Sequence, residues 1–308
     1  MKIIFMGNPE FACPSLKAIC RSNHQIIGVV SNPPKRMKRS SDVSYTPIGN
    51  LARKLNLDLF TPEKLSNPNL KEWIVDLKPD ILVVVAFKIL PKTITDIPNL
   101  KAVNLHASLL PKYRGAAPIH HALINGDTVT GNTTFLIQPK VDTGNIILQQ
   151  KIDIKPNDNF ATLSKKMSEL GAELLIESLN VIENPNFKPM SQDDSVATFA
   201  PKIDKSFGKI DWSESANLIY SKIKALSFSP GTFANINGKR LKIYESRLTS
   251  KKLDDRPGAV VCMDNKIFVS CLDFSLELID VQFEGKKKMS AIDWFRGINE
   301  HSGLKFDQ

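Results

Sequence analysis

The chain of 308 residues is short of several things, and each shortage closes a class of function. Its 4 cysteines, Cys13, Cys20, Cys262 and Cys271, fall in two distant pairs without the CxxC spacing of zinc ribbons or dithiol redox sites. Free thiols in a reducing cytosol are therefore expected. No apolar run approaches the length of a membrane span, and the apolar stretch from Met1 to Gly7 is too short for a secretion signal. The expected protein is soluble and cytoplasmic, without membrane contact. Gly7-Asn8-Pro9-Glu10-Phe11-Ala12 lacks the second and third glycines of a dinucleotide fingerprint, which argues against a nicotinamide cofactor. No serine or cysteine stands in a nucleophile elbow, so covalent catalysis has no signal. His106, His120 and His121 lack metal-ligand spacing; no metal is expected, and His120 and His121 read as helix-surface residues. Internal repeats and low-complexity tracts are missing as well.

What is present is ordinary in amount and informative in order. Hydrophobic residues at 42% and charged residues at 24% suit a globular protein, and the length more naturally makes two domains than one. A net charge of +9 points to an acidic partner, nucleic acid being the commonest kind. Apolar runs at 2–7, 25–31 and 81–86 predict strands, with helical spacing at 14–22, 47–55 and 70–77 between them. The run Ile81-Leu82-Val83-Val84-Val85-Ala86 is apolar throughout, as in a strand covered on both faces. Another strand is expected over 145–153 and a long amphipathic helix over 160–184. This alternation predicts an α/β domain over 1–184 with a doubly wound, mostly parallel, Rossmann-like sheet.

A stretch rich in Pro, Ser and Asp reads as a linker over 185–204. Ser213 or Ser215 then suits a helix cap. Beyond Pro230-Gly231 come five short alternating runs, at 232–236, 240–247, 259–263, 266–271 and 276–283, and a closing helix over 291–299. Asn237-Gly238 is a strong hairpin signal. A small OB-like β-barrel domain over 205–308 follows.

The polar residues that stand out lie at one strand end. Asn104 and His106, two apart in an apolar strand, point the same way, and Ser108 to Pro118 forms a rim too rich in Pro and Gly to continue the strand. In doubly wound sheets ligands bind outside the carboxyl ends of the strands, and Gly7, Ala86 and His106 all fall there. Acyl or formyl transfer to an amine needs a donor for the developing oxyanion, a group that takes the amine proton, and support for that group once charged. Asn104, His106 and Asp142 suit those roles in turn. Asp142 also suits a simple cap of the turn Asp142-Thr143-Gly144. Two basic segments stand apart: the loop 32–41, with Lys35, Arg36, Lys38 and Arg39, and the turn with Lys286, Lys287 and Lys288. Each reads either as a solvated surface or as a phosphate-gripping arm.

The run from Asn104-Leu105-His106-Ala107-Ser108-Leu109-Leu110-Pro111 through Arg114-Gly115-Ala116-Ala117-Pro118-Ile119, with Asp142-Thr143-Gly144, resembles the signature of formyltetrahydrofolate-dependent formyltransferases. Its RGAAPI ending is most similar to the members that act on methionyl-tRNA. Ile4 to Phe11, Ala197-Thr198-Phe199-Ala200-Pro201-Lys202-Ile203, Ile210-Asp211-Trp212 and Glu284 to Ser290 extend the resemblance over nearly the whole chain. It implies 10-formyltetrahydrofolate as donor and the α-amino group of methionyl-initiator tRNA as acceptor, in a monomer. It also implies that Asn104, His106 and Asp142 are catalytic, and that the folate lies near Phe87, Lys88, Ile89, Leu90, Ser108, Leu109, Leu110 and Pro111. The loop with Lys35, Arg36, Lys38 and Arg39 would grip the acceptor stem, and Lys286, Lys287 and Lys288 would meet tRNA from the barrel. A formyltransferase acting on a nucleotide-linked amino sugar shares the same three residues and is the alternative, with a non-catalytic folate- or RNA-binding protein behind it.

Overall fold

The structure, a computed structural model, describes residues 1–36, 43–227, 229–254, 256–298 and 303–307. The chain makes two compact units, one from Met1–Pro118, Val129–Asp153 and Ser164–Ala200, the other from Ile119–Thr128, Ile154–Leu163 and Pro201–Gln308. The second unit thus takes two short pieces from within the stretch read as one domain.

In chain order the α/β portion runs β1 (Lys2–Gly7), α1 (Cys13–Arg21), β2 (Gln25–Val30), β3 (Lys35–Arg36), β4 (Val43–Ser44), α2 (Pro47–Lys54), β5 (Leu59–Phe60), α3 (Pro68–Leu77), β6 (Ile81–Val85), α4 (Lys92–Thr95), β7 (Ala102–His106), α5 (Pro118–Ile124), β8 (Val129–Leu136), β9 (Ile146–Asp153) and α6 (Phe160–Ile182). Seven strands form the sheet of the first unit in the order β5-β2-β1-β6-β7-β8-β9. The first five are parallel, and β8 and β9 are antiparallel to their neighbours. Side chains alternate across the sheet as strand geometry requires. Ile3, Phe5, Ile81 and Val83 pack against α1, α2 and α6 through Leu16, Ile19, Ile48, Leu175 and Leu179. Ile4, Met6, Leu82 and Val84 pack against α3 and α4 through Leu70, Ile74 and Ile94. Helices on both faces make the sheet doubly wound.

β8 carries no hydrophobic signal along the chain. Thr130, Asn132, Thr133 and Thr134 are polar yet at most 3% exposed. Their polar groups are mostly met inside the fold. Thr133 Oγ1 donates to Ser108 O (2.6 Å) and Thr134 Oγ1 pairs with Ser178 Oγ (2.6 Å), while Asn132 Nδ2 donates to Met167 O (2.8 Å). β-branched threonine fits a pleated strand, and once its hydroxyl is bonded the desolvation cost largely disappears. Hydrophobic patterning cannot register such a strand.

The second unit carries α7 (Ala216–Leu226), β10 (Thr232–Ile236), β11 (Lys239–Leu248), β12 (Val260–Met263), β13 (Lys266–Ser270), β14 (Ser275–Phe283), β15 (Met289–Ser290) and α8 (Ala291–Arg296). The strands form an antiparallel sheet ordered β10-β11-β14-β13-β12, with β15 beside β14. All five expected runs are strands. Asn237 and Gly238, with φ of 51° and 69°, turn β10 into β11 in the left-handed conformation that a two-residue hairpin demands. Ser215, not Ser213, caps α7 by accepting from Leu218 N. Trp212, Ile219, Leu241, Ile267, Trp294 and Phe306 are among the side chains of a core shared by sheet and helices. The last residue of the expected closing helix, Asn299, lies outside the described residues.

Burial separates the thiols. Cys13 and Cys271 are buried and Cys20 and Cys262 exposed, all free. Burial pushes the Cys13 thiol up to about 11 and that of Cys271 up to about 12. Because the thiolate is the reactive form, both stay protonated and inert at pH 8. Labelling the native protein at that pH with an alkylating reagent should modify Cys262 rapidly and Cys20 more slowly, partial burial raising its thiol too. Cys13 and Cys271 should react only after denaturation, as read by mass spectrometry of peptides.

Candidate active site

Strands β1, β6 and β7 run parallel, with Gly7 beside Val85 and Val85 beside Leu105, so their carboxyl ends open on one edge. Asn104 and His106 leave β7 at that edge, on the side opposite Val103 and Leu105. Those two apolar residues are held in the core beneath α6, and this anchoring fixes which way the polar pair faces. His106 is 6% exposed. Asn104 is half-buried, and its carboxamide makes no hydrogen bond to any other described residue, which leaves its N–H donors available to a ligand.

The imidazole is held at one nitrogen and faces a carboxylate at the other. Nε2 lies 2.9 Å from Tyr113 O. A carbonyl only accepts, so Nε2 carries hydrogen, and the nitrogen that gains or loses a proton is Nδ1. Nδ1 faces Asp142, with 3.7 Å to Oδ2. That separation is beyond a hydrogen bond, and it leaves the carboxylate facing Nδ1. The same Oδ2 accepts from Gly115 N at 2.8 Å. Asp142 itself sits at φ 53°, a left-handed conformation that aspartate tolerates. The three residues expected at the site are thus brought together, and Asp142 reaches inward instead of merely capping its own turn.

The rim between Ser108 and Pro118 is bonded inward through much of its length. Ser108 is 1% exposed, with Oγ donating to Lys112 O at 2.6 Å, and Leu110 packs against Phe135 and Ile146. These two side chains face the interior, while Leu109 and Pro111 are half-buried. Phe87 and Leu90 lie in the apolar cluster on the α3 and α4 side, while Lys88 and Ile89 are exposed.

The basic segments come from other parts of the chain. Lys35 and Arg36 are exposed, in a two-stranded ladder of β3 and β4 where an irregular loop was expected. Lys38 and Arg39 lie outside the described residues. Lys286, Lys287 and Lys288 are exposed at the turn after β14, and Lys288 Nζ pairs with Asp280 at 2.7 Å. Beside them Asn235, Arg240, Lys242 and Gln282 line an open groove of about 470 Å³. Arg240 stacks on Phe233, 4.0 Å from ring centroid to Cζ. Arg240 and Lys242 alternate with the core residues Leu241 and Ile243 along β11. His120 and His121 are half-buried instead of simply surface residues. His120 stacks on Phe160 at 4.0 Å, burial holding its imidazole below the usual range, and His121 Nε2 bonds Pro201 O at 3.0 Å.

Two further side chains stand at the site, Arg114 from the RGAAPI run and Gln192. Arg114 is 3% exposed. Its guanidinium donates to Gln192 Oε1 from Nε (3.1 Å) and Nη2 (2.7 Å), and to Asp194 Oδ1 (2.7 Å). Gln192 belongs to the stretch read as a linker, where a glutamine carries no motif. Among the described residues no group of three or more His, Cys, Asp or Glu is placed to hold a metal.

A half-buried carboxamide, an imidazole and a carboxylate at the carboxyl edge of a doubly wound sheet define a site for transferring an acyl group to a nucleophile. Comparison with known proteins narrows the class. A family profile described as formyl transferase matches residues 1–179, and one described as formyl transferase, C-terminal domain, matches 202–299. The methionyl-tRNA formyltransferase of Caldanaerobacter subterraneus subsp. tengcongensis is 38% identical over 98% of this chain and 99% of its own. That of Caldicellulosiruptor saccharolyticus is 42% identical over 98% and 99%. Among solved structures, a methionyl-tRNA formyltransferase from Clostridium thermocellum shares the fold, with a TM-score of 0.59 at 17% identity over 82% of this chain and 95% of that one. The chain belongs to the formyl transferase family, in the branch of the methionyl-tRNA formyltransferases.

Gly115 gives the site a sharp structural test. It sits at φ 122°, and a Cβ there would stand 2.7 Å from Ala200 O. Gly115→Ala should cost about 1–3 kcal/mol of stability, read as a lower urea midpoint. It should also slow turnover, because the same residue's N–H holds Asp142.

Proposed function

We propose that the chain transfers the formyl group of 10-formyltetrahydrofolate to the α-amino group of methionyl-initiator tRNA, by direct attack and without a covalent enzyme intermediate. The observation that carries this is the likeness to methionyl-tRNA formyltransferases along both units, at 38% identity over 98% of the chain. The protein is proposed to work as a cytoplasmic monomer. Among the described residues no helix is long and apolar enough to cross a membrane.

In this reading the neutral amine attacks the formyl carbon, forming the new C–N bond as the carbonyl oxygen becomes an oxyanion. The Asn104 N–H donors are free to meet that oxygen. The proton released by the amine passes to His106, and Asp142 supports the resulting imidazolium. Collapse restores the carbonyl and breaks the bond to the folate N10, which takes the proton back. The residue types suffice for each step without a metal. The folate is proposed to lie along Phe87, Lys88, Ile89 and Leu90 and the wall 108–111. The polynucleotide is proposed to be met by Lys35, Arg36, Lys38 and Arg39 in one unit and by Lys286, Lys287 and Lys288 in the other, with Arg240 and Lys242 beside them.

Steady-state formylation of charged initiator tRNA by Asn104→Ala should show kcat lower by about 10²–10³-fold, with the fold intact by circular dichroism. Asp142→Ala should fall by orders of magnitude as well. Near-normal turnover in either variant removes these residues from the chemistry. Neutralising Lys35, Arg36, Lys38 and Arg39 together should raise KM for tRNA and flatten its salt dependence by roughly 0.9 in the log–log slope per lost duplex phosphate contact. An unchanged slope takes that segment out of the tRNA footprint.

A further inference from the structure

The loop that carries the histidine's partner and the loop that carries Asp142 are joined by one side-chain amide. Gln192 accepts from Arg114 through Oε1, and its Nε2 donates to Asp142 O at 2.9 Å and to Gly144 O at 2.7 Å. Both halves of the amide are therefore occupied, its oxygen by one loop and its nitrogen by the other. Arg114 stands between Tyr113, whose carbonyl holds His106 Nε2, and Gly115, whose N–H holds Asp142 Oδ2. The contacts close into a ring of Arg114, Gln192, Asp142 and Gly115, to which Tyr113, next to Arg114, ties His106. The backbone of the ring is itself tied down, since Arg114 N donates to Thr198 O at 2.9 Å and Ala200 N to Arg114 O at 2.7 Å.

A ring of this kind has a mechanical consequence. Asp142 touches His106 through no direct hydrogen bond, so their 3.7 Å separation is set by what holds each of them. On the histidine side that is Tyr113; on the aspartate side it is Gly115 and the Gln192 amide. Gln192 fastens the carbonyls on either side of Thr143, and so fixes the left-handed backbone from which the Asp142 carboxylate projects. An ion-pair network that bonded only Asp194, on the surface, could not do this. Gln192 alone among the described residues bonds both the Arg114 guanidinium and the Asp142 turn.

We infer that Gln192 is a positioning residue for formyl transfer: clamped by Arg114, it sets the distance at which Asp142 supports His106. The inference rests on the proposed formyl-transfer reading and adds to it a residue that touches neither substrate. A positioning role separates from a merely structural one in the kinetics, because a displaced Asp142 slows chemistry while both substrate surfaces stay as they were.

The test compares Gln192→Glu, Gln192→Met and Asp193→Ala in full-length protein, with 10-formyltetrahydrofolate and charged initiator tRNA. Gln192→Glu keeps an oxygen for Arg114 and removes the donors to Asp142 and Gly144. Gln192→Met removes both contacts in a side chain of similar length. Asp193→Ala changes the neighbouring residue, whose carboxylate bonds only Ser195 among the described residues. Rates are taken per folded molecule, well below each thermal midpoint. Expected is a fall in kcat of about tenfold or more for both Gln192 variants, with KM for folate and for tRNA unchanged within about twofold and Asp193→Ala close to wild type. A smaller fall in kcat, or one carried by KM, overturns the positioning role. Formylation by the wild-type chain is read in the same assay. If wild type transfers formyl and the Gln192 variants match it, the clamp fails and the function stands; if wild type transfers none, the functional reading itself fails.

Discussion

Everything at the candidate site depends on keeping one buried cation bonded. Arg114 sits in one of the two loops that matter and is bonded through Gln192 to the other, and its guanidinium cannot shed its proton to escape burial. A charge taken out of water must be paired or destabilise the fold by several kcal/mol. Here the compensation comes from Gln192 and Asp194, the guanidinium holding the carboxylate of Asp194 below its usual range. The demand of Arg114 for partners therefore recruits the segment after α6 to the catalytic edge. That is why a stretch with the composition of a linker is bonded at Gln192, Asp194, Thr198 and Ala200.

The sheet supplies the other half of the arrangement. Val103 and Leu105 are pulled into the core, and the alternation of a strand leaves Asn104 and His106 no choice of face. Polar threonines on β8 then bond the start of the rim: Thr133 takes the N–H of Leu110 and gives its proton to Ser108 O. A rigid apolar core thus presents polar groups whose positions were decided before any ligand arrives, which is the condition for electrostatic catalysis at low reorganisation cost.

Much of this was legible beforehand, for identifiable reasons. The apolar strands β1, β2 and β6 announce themselves by composition, and Asn237-Gly238 by turn chemistry. Asn104, His106 and Asp142 could be picked out because a primary amide, an imidazole and a carboxylate near one strand end are chemically conspicuous, and the surrounding run resembles a known family. What stayed hidden was whatever makes sense only in three dimensions. β8 is polar in sequence and buried in structure because its hydroxyls find partners contributed by distant residues such as Ser178. Gln192 and Arg114 are separated by 78 residues and become meaningful only as a pair. Ser108 and Leu110 sit in the run that resembles a folate wall, yet burial turns both side chains inward.

The acceptor is the point on which the account turns, because the chemistry at Asn104, His106 and Asp142 suits more than one amine. A direct comparison settles it: transfer of labelled formyl from 10-formyltetrahydrofolate to methionyl-initiator tRNA, matched methionyl-elongator tRNA and a nucleotide-linked amino sugar, under one set of conditions. Efficient transfer to the initiator tRNA, little to the elongator and none to the sugar is the expected outcome. Transfer to the sugar with none to tRNA would contradict it.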